Sequence, residues 1–405
     1  MKKRKRKYLF DRSARLVTAG FSLLLALPAI GVFFTDHAAR SRWENRPLAD
    51  PPWMTAAPKA AAFFPALDRY LNDHFGFSVE LNRLYRKLVF YVFRDSPSQD
   101  VSIGKDGFVF VTSFRNRPFS VLETLCMGGM DPQQAHAAAE AWEHILDHFA
   151  GDRRNVALLI VPSKPTLYPE KLKASVPRRY REACAGYQYR SSVSGTISRV
   201  AKDNGHTVIY PFEEFWRRRY EGNFYPRENF HYTGASGHWL ARQTLISLGI
   251  QPNAAYEQRY SAEIVTHDLM NLLGFTRQLE AVVYPYDAFS IRKDLSKPNY
   301  VRDYFANVNQ FGTFTSSSPL SRRKALVVGN SFAPFAAEHL APGYHSLTYI
   351  MLNDLQEDEY VRFFTELVPR IDPDDLIFVY NDNVVAFTGP MYWAELRLAA
   401  GGPGK

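Results

Sequence analysis

Ala325-Leu326-Val327-Val328-Gly329-Asn330-Ser331-Phe332 decides how this 405-residue chain is read. A short apolar run with β-branched residues enters Gly-Asn-Ser and then a helix-compatible segment, Ala333 to Leu340. That pattern predicts a buried parallel strand that delivers a serine to a tight turn at a helix start. A serine in that place stands at the carboxyl end of a sheet, beside backbone N–H groups that no helical turn has used. Those groups can hold an oxyanion, so the position suits a nucleophile. Helix capping is the plainer use of a serine there, and both readings stay open on these eight residues.

Outward from this stretch, strand and helix signals alternate. Val156–Val161, Thr207–Tyr210, Leu347–Met351 and Leu376–Tyr380 read as short buried strands. Tyr187–Asp203, Thr233–Leu248 and Asp358–Arg370 read as helices. The alternation predicts an α/β fold, a largely parallel sheet with helices on both faces. Lys164, Ser331 and Asn381 then fall at the carboxyl edge, where such sheets bind ligands. Upstream, 63–77 and 79–93 read as helices, and 100–112 as a hairpin turning at Lys105-Asp106-Gly107. Asp131-Pro132 caps and opens a helix reaching Phe149. In it, His144 and His148 are spaced as metal ligands, but no third ligand is near, and a solvated face explains them; no metal is expected.

The formal charge of +8 belongs to one end of the chain. Residues 1–15 hold eight Lys/Arg against Asp11, which leaves about +1 for everything else and argues against nucleic acid. Leu16 to Phe34 is uncharged over 19 residues, the length of a membrane-crossing helix. Basic residues stay cytoplasmic, so the bulk of the chain is expected outside. The run is longer than the apolar core of a cleaved signal, which favours an anchor. Residues 1–15 thus read as a cytoplasmic tail, 16–34 as the anchor, 35–62 as a Pro/Ala-rich linker, 63–384 as the working domain and 385–405 as a tail. Cys126 and Cys184 fit a single disulfide in an oxidising compartment, or two buried thiols.

A serine nucleophile needs a base. His231 lies in the polar, aromatic loop Arg227-Glu228-Asn229-Phe230-His231-Tyr232-Thr233-Gly234. In an extended segment Asn229 and His231 point to the same side, so one can orient the other. His238, inside the following helix, is expected to pack or cap.

The chain from Glu44 to Asp382 resembles the SGNH-like O-acetyltransferases of alginate acetylation, the AlgJ/AlgX group. The resemblance rests on the order of several stretches: 44–48 (ENRPL), 67–77 (LDRYLNDHFGF), 103–107 (IGKDG), 161–172 (VPSKPTLYPEKL) and 268–274 (DLMNLLG). The group's Asp-x-His and Gly-Asp-Ser-Phe motifs match Asn229-Phe230-His231 and Gly329-Asn330-Ser331-Phe332, with both aspartates replaced by asparagine. The resemblance implies an SGNH (flavodoxin-like) fold, with Ser331 as nucleophile, His231 as base and Asn229 as its orienting partner. Gly329, Asn330 and Lys164 would surround the substrate and oxyanion. It also implies a bacterial inner-membrane protein facing the periplasm, a polysaccharide acceptor, a membrane-bound acyltransferase as acetyl donor, and no cofactor. An acetyl-polysaccharide esterase would use the same pair. The missing carboxylate at position 229 leaves a third reading, an inactive polysaccharide-binding subunit.

Overall fold

The computed structural model describes residues 14–23, 26, 40–41, 46–53, 60–74, 76–113, 117–127, 132–150, 154–221, 224–232, 234–258, 260–266, 273, 278–296, 298, 301, 311–353 and 357–399. Most of the expected span 16–34, much of the linker, the Asp131 cap, the 268–272 segment and residues 400–405 lie outside them. Among the described residues no helix is long and apolar enough to cross a membrane. The chain divides into two compact units, 1–97 with 273–275, and 98–272 with 276–405. In the first, helices α1 (Ala60–Asp73) and α2 (Ser78–Tyr91) dominate.

The second unit opens on a hairpin, β1 (Val101–Ile103) with β2 (Val109–Val111), turning where the Lys-Asp-Gly signal stands. Asp106 there takes a left-handed φ of 54°, a conformation aspartate tolerates better than most residues. After α3 (Ser120–Cys126) and α4 (Pro132–Phe149) come β3 (Asn155–Val161), α5 (Arg178–Ala185), α6 (Val193–Asp203), β4 (Thr207–Ile209), α7 (Phe212–Arg218) and α8 (Ala235–Ser247). Then follow β5 (Ile291–Asp294), β6 (Phe311–Ser316), β7 (Lys324–Gly329), α9 (Ala333–Leu340), β8 (Ser346–Met351), β9 (Asp375–Asn381) and α10 (Val385–Ala399).

Seven strands form one sheet in the order β4-β3-β9-β7-β8-β6-β5. The five from β4 to β8 run parallel, as expected, but β6 and β5 extend the sheet antiparallel, so it is mixed. The chain leaves β7 for β8 on one side and then returns past β7 to β9 on the other. Right-handed crossovers in opposite directions lie on opposite faces. Accordingly α9 covers one face with α8, while Phe364 of the return crossover meets Phe149 and Phe378 on the α4 face. Strand order reverses at β7, so the crevice between the ends of β7 and β9 is a switch point, the usual ligand place in such sheets.

Residues 385–399 are no tail. Helix α10 packs on α4, whose Trp142 is fully buried and donates Nε1–H to Val385 O at 2.7 Å. A side chain on Gly389 would collide with that indole. Cys126 and Cys184 are joined, tying the end of α3 to α5.

Candidate active site

β7 ends where its neighbours press closest. A Cβ on Gly329 would overlap the Val379 carbonyl oxygen of β9, so only glycine fits. Gly329 O accepts from Leu352 N–H at 2.7 Å. Gly329, expected beside the oxyanion, thus serves strand packing. Asn330 turns the chain: its Oδ1 accepts from Phe332 N–H (3.1 Å), its Nδ2 donates to Asn381 Oδ1 (2.7 Å), and its C=O accepts from Ala333 N–H (2.9 Å). With those groups committed, Asn330 shapes the turn, and the second hydrogen of its Nδ2 is what it has left to offer an oxyanion. Among the described residues Ser331 N–H has no partner, and neither has Asn381 Nδ2. Both stand at the sheet's carboxyl edge.

Ser331 is half-buried, and His231 Nε2 lies 2.8 Å from its Oγ, across 100 residues of chain. For Nε2 to accept the hydroxyl proton, His231 must carry its own hydrogen on Nδ1. The imidazole is held by Phe335, stacked at 4.4 Å and 18°, and by Phe332, edge-on at 4.7 Å. Phe332 comes from the turn that carries Ser331, and Phe335 from the first turn of α9. Tyr232 stacks on Phe332 and its hydroxyl donates to Phe332 O at 3.3 Å; Tyr225 OH donates to Phe230 O at 2.9 Å. Phe230 also meets Phe332 edge-on at 5.2 Å, so the histidine loop is fastened to the serine turn on both sides of His231. Gly234 then takes a φ of +59° to enter α8. Asn229 is buried two residues before His231, with its N–H on Pro226 O at 3.4 Å.

Lys164 stands elsewhere than expected. It is 4% exposed, and its Nζ donates to Val109 O at 2.9 Å and Arg227 O at 2.5 Å. The rings of Phe108, Phe110 and Tyr225 surround it with centroids 5.8–5.9 Å away. A buried ammonium must be compensated, and here two carbonyls and three ring faces do so. Lys164 thereby pins the start of the histidine loop to β2, and its described bonds are not to the serine turn.

Asp382, one residue past Asn381, is buried and accepts from Ser163 N–H (3.2 Å), Ser163 Oγ and Tyr210 OH (3.3 Å). Burial raises its carboxyl to about 6, against these bonds. The polar run Asn381-Asp382-Asn383 directly after a buried strand is the sequence signal for both residues. A pocket of about 250 Å³ opens beside Asp382, between the Cys126 disulfide and the start of α10.

His144 stacks on Trp393 at 4.6 Å rather than pairing with His148. The described groups able to gather round a metal ion are Glu143, Asp147 and His206, whose ligand atoms lie within 4.8 Å of one another. His238 packs, as expected: it is buried, with Nδ1 2.8 Å from Tyr286 OH.

No protein-family model and no curated protein matches the chain. Solved structures similar to it include a DHHW family protein from Eubacterium siraeum, at 8% identity and TM-score 0.48, covering 73% of this chain and 95% of that one. The O-acetyltransferase domain of Pseudomonas putida AlgJ is another (12%, TM-score 0.40, 71% and 92%). Pseudomonas aeruginosa AlgX is a third (12%, TM-score 0.40, 75% and 68%). Two of the three are of the group that the sequence resembles. At such identities and scores, function is left to the side chains.

Proposed function

We propose that this protein is an O-acetyltransferase that carries an acetyl group on Ser331 to hydroxyls of an exported, alginate-like polysaccharide. The supporting observation is the 2.8 Å approach of His231 Nε2 to Ser331 Oγ at the carboxyl edge of the sheet. Ser331 Oγ attacks the acetyl carbonyl carbon while Nε2 takes the hydroxyl proton. Negative charge then gathers on the carbonyl oxygen, with Ser331 N–H and the Asn381 amide as candidate donors. Collapse breaks the bond to the donor, whose leaving group takes the proton from Nε2. In the second half a sugar hydroxyl gives its proton to Nε2 and its oxygen bonds the acyl carbon. Ser331 departs and recovers the proton. Asn229 holds Nδ1–H through its amide oxygen, an arrangement known from Cys-His-Asn enzymes.

In this reading residues 16–34 anchor the chain in a bacterial inner membrane, with residues 35–405 in the periplasm. The disulfide fits that compartment. A membrane-bound acyltransferase supplies the acetyl group. The test is mass spectrometry after incubation with an activated acetyl ester. Acetyl on Ser331, transferred to an added oligosaccharide, is the expected outcome. Release as free acetate alone makes the protein an esterase, and an unmodified Ser331 in folded protein overturns the catalytic reading.

A further inference from the structure

Helix α2 carries its apolar residues on the wrong side for a core. Leu81, Leu84, Tyr85, Leu88, Tyr91 and Val92 recur at three- and four-residue spacing, which sets them in one stripe. A stripe of that kind ordinarily faces the interior. Here the six, with Phe93 beyond the helix, are between 38% and 66% exposed, while Phe90 on the other side is buried. On a helical wheel of 100° per residue the six span an arc of about 120°. A contiguous apolar surface of several hundred Å² marks an interaction site.

Charge decides among occupants. Segment 78–94 holds Arg83, Arg86, Lys87 and Arg94 against the single acid Glu80. Lys87 and Arg94 are exposed and fall along one edge of the stripe, with Arg83 and Arg86 behind them. Arg94 sits in a left-handed turn (φ 55°) that closes the helix. A wide apolar arc, an edge of basic side chains and two tyrosines are the make-up of a helix lying in a lipid interface. Tyrosine places its ring among acyl chains and its hydroxyl at the headgroups. A second copy of this chain would set like charges against like, which disfavours a self-paired helix.

The geometry points to α2 as an in-plane membrane helix, with the 81/84/85/88/91/92 stripe immersed and Lys87 and Arg94 on anionic lipid headgroups. The expected span at 16–34 would precede α2 in the chain, so the two would act as paired membrane contacts. The proposal is independent of the acyl transfer, and its test reads no activity.

Full-length protein carrying Leu88→Cys is labelled with an environment-sensitive thiol dye and reconstituted in vesicles. The native cysteines are joined, so the new thiol takes the label. In vesicles of mixed phosphatidylglycerol and phosphatidylcholine, the dye should shift to the blue, resist iodide and be quenched by spin-labelled acyl chains. A label at Arg178→Cys, on exposed surface of the other unit, should do none of these. Lys87→Gln with Arg94→Gln should weaken docking roughly thirtyfold, from about 1 kcal/mol per basic residue at an anionic surface. A dye equally open to iodide with and without phosphatidylglycerol overturns the proposal. So does shielding that rises with protein density in phosphatidylcholine alone, which identifies a second copy. Shielding confined to native membranes identifies a protein occupant and overturns it too.

Discussion

Among the described residues of the second unit, two places pair an imidazole with a hydroxyl, and they do opposite things with it. At the sheet edge, His231 meets Ser331 at 2.8 Å, both half-buried. Behind it, between α8 and α9, Tyr286 OH lies 2.8 Å from His238 Nδ1 and 2.9 Å from His339 Nδ1. A single hydroxyl can donate to only one of those nitrogens, so the other must carry the hydrogen and donate to Tyr286 oxygen. Tyr284 lies flat on His238 at 3.7 Å, and Tyr256 stacks at 4.6 Å. Burial lowers His238 to about 3 and His339 to about 4, with the mutual repulsion of the two rings and Arg242 adding to the first and Glu338 opposing the second. The difference is in partners. His238 is buried and the Tyr286 hydroxyl is shared with a second ring, so this sealed pair spends its hydrogen bonds on packing, whereas a pair at a strand end keeps a proton within reach of a ligand.

The sharpest break in this comparison is Ser331→Ala. It should abolish acetyl-enzyme and lower turnover by roughly 10³-fold or more, with the thermal midpoint nearly unchanged. An equal loss in Tyr286→Phe would mean that the sealed pair takes part in catalysis. Lys164→Met should come next, costing on the order of tenfold or more in kcat, because the loop bearing His231 loses its tie through Arg227 O. Lys164→Arg should recover part of it; unchanged kcat in Lys164→Met would mean the loop is held without this ammonium.

The sealed pair should show itself in stability instead. Unfolded histidine titrates near 6.5, above both native values, so the native state binds fewer protons and stability falls as pH drops below about 6.5. From pH 7 to 5 the His238 share is on the order of 2 kcal/mol. Asp382 acts in the opposite sense: burial raises its native carboxyl to about 6, so its share of stability is lost as pH rises from the ordinary carboxylate range to about 6. Denaturant unfolding of His238→Phe beside the native chain isolates the histidine. Parallel pH dependence in the two would remove the sealed pair from the account. Smallest of all is Asn229→Asp. Restoring a negative charge beside the imidazolium should raise acyl transfer severalfold; a fall with the fold intact would end the orienting role given to Asn229.

The edge geometry was legible because it follows from strong local rules. An apolar run into Gly-Asn-Ser specifies strand, turn and helix, and the parallel strands read as unbroken apolar runs. The antiparallel extension was not. In β5, Ile291-Arg292-Lys293-Asp294 is a polar edge strand with little periodicity. In β6, Gly312 weakens the strand signal, yet it is required because Tyr349 fills the space a side chain would take. Lys164 could be placed at the strand end from sequence, but which way an ammonium turns depends on carbonyls more than fifty residues away. Helix α10 looked like a tail because its partner surface, Trp142, lies far earlier in the chain.

The Cys126–Cys184 bond encloses more than a loop. The ring it closes contains β3, whose flanking strands β4 and β9 are both made later, and it contains Lys164, which fixes the histidine loop. In the native protein the sulfurs meet because the end of α3 lies beside α5. Closing a ring of this size lowers the entropy of the unfolded chain by about 4 kcal/mol equivalent. A chain folding where thiols stay reduced forgoes that and must hold the same strand by packing alone. Protein made in a reducing cell and protein made in an oxidising one would thus share a sequence and differ in their ageing: the reduced form should lose its histidine loop first, long before its sheet.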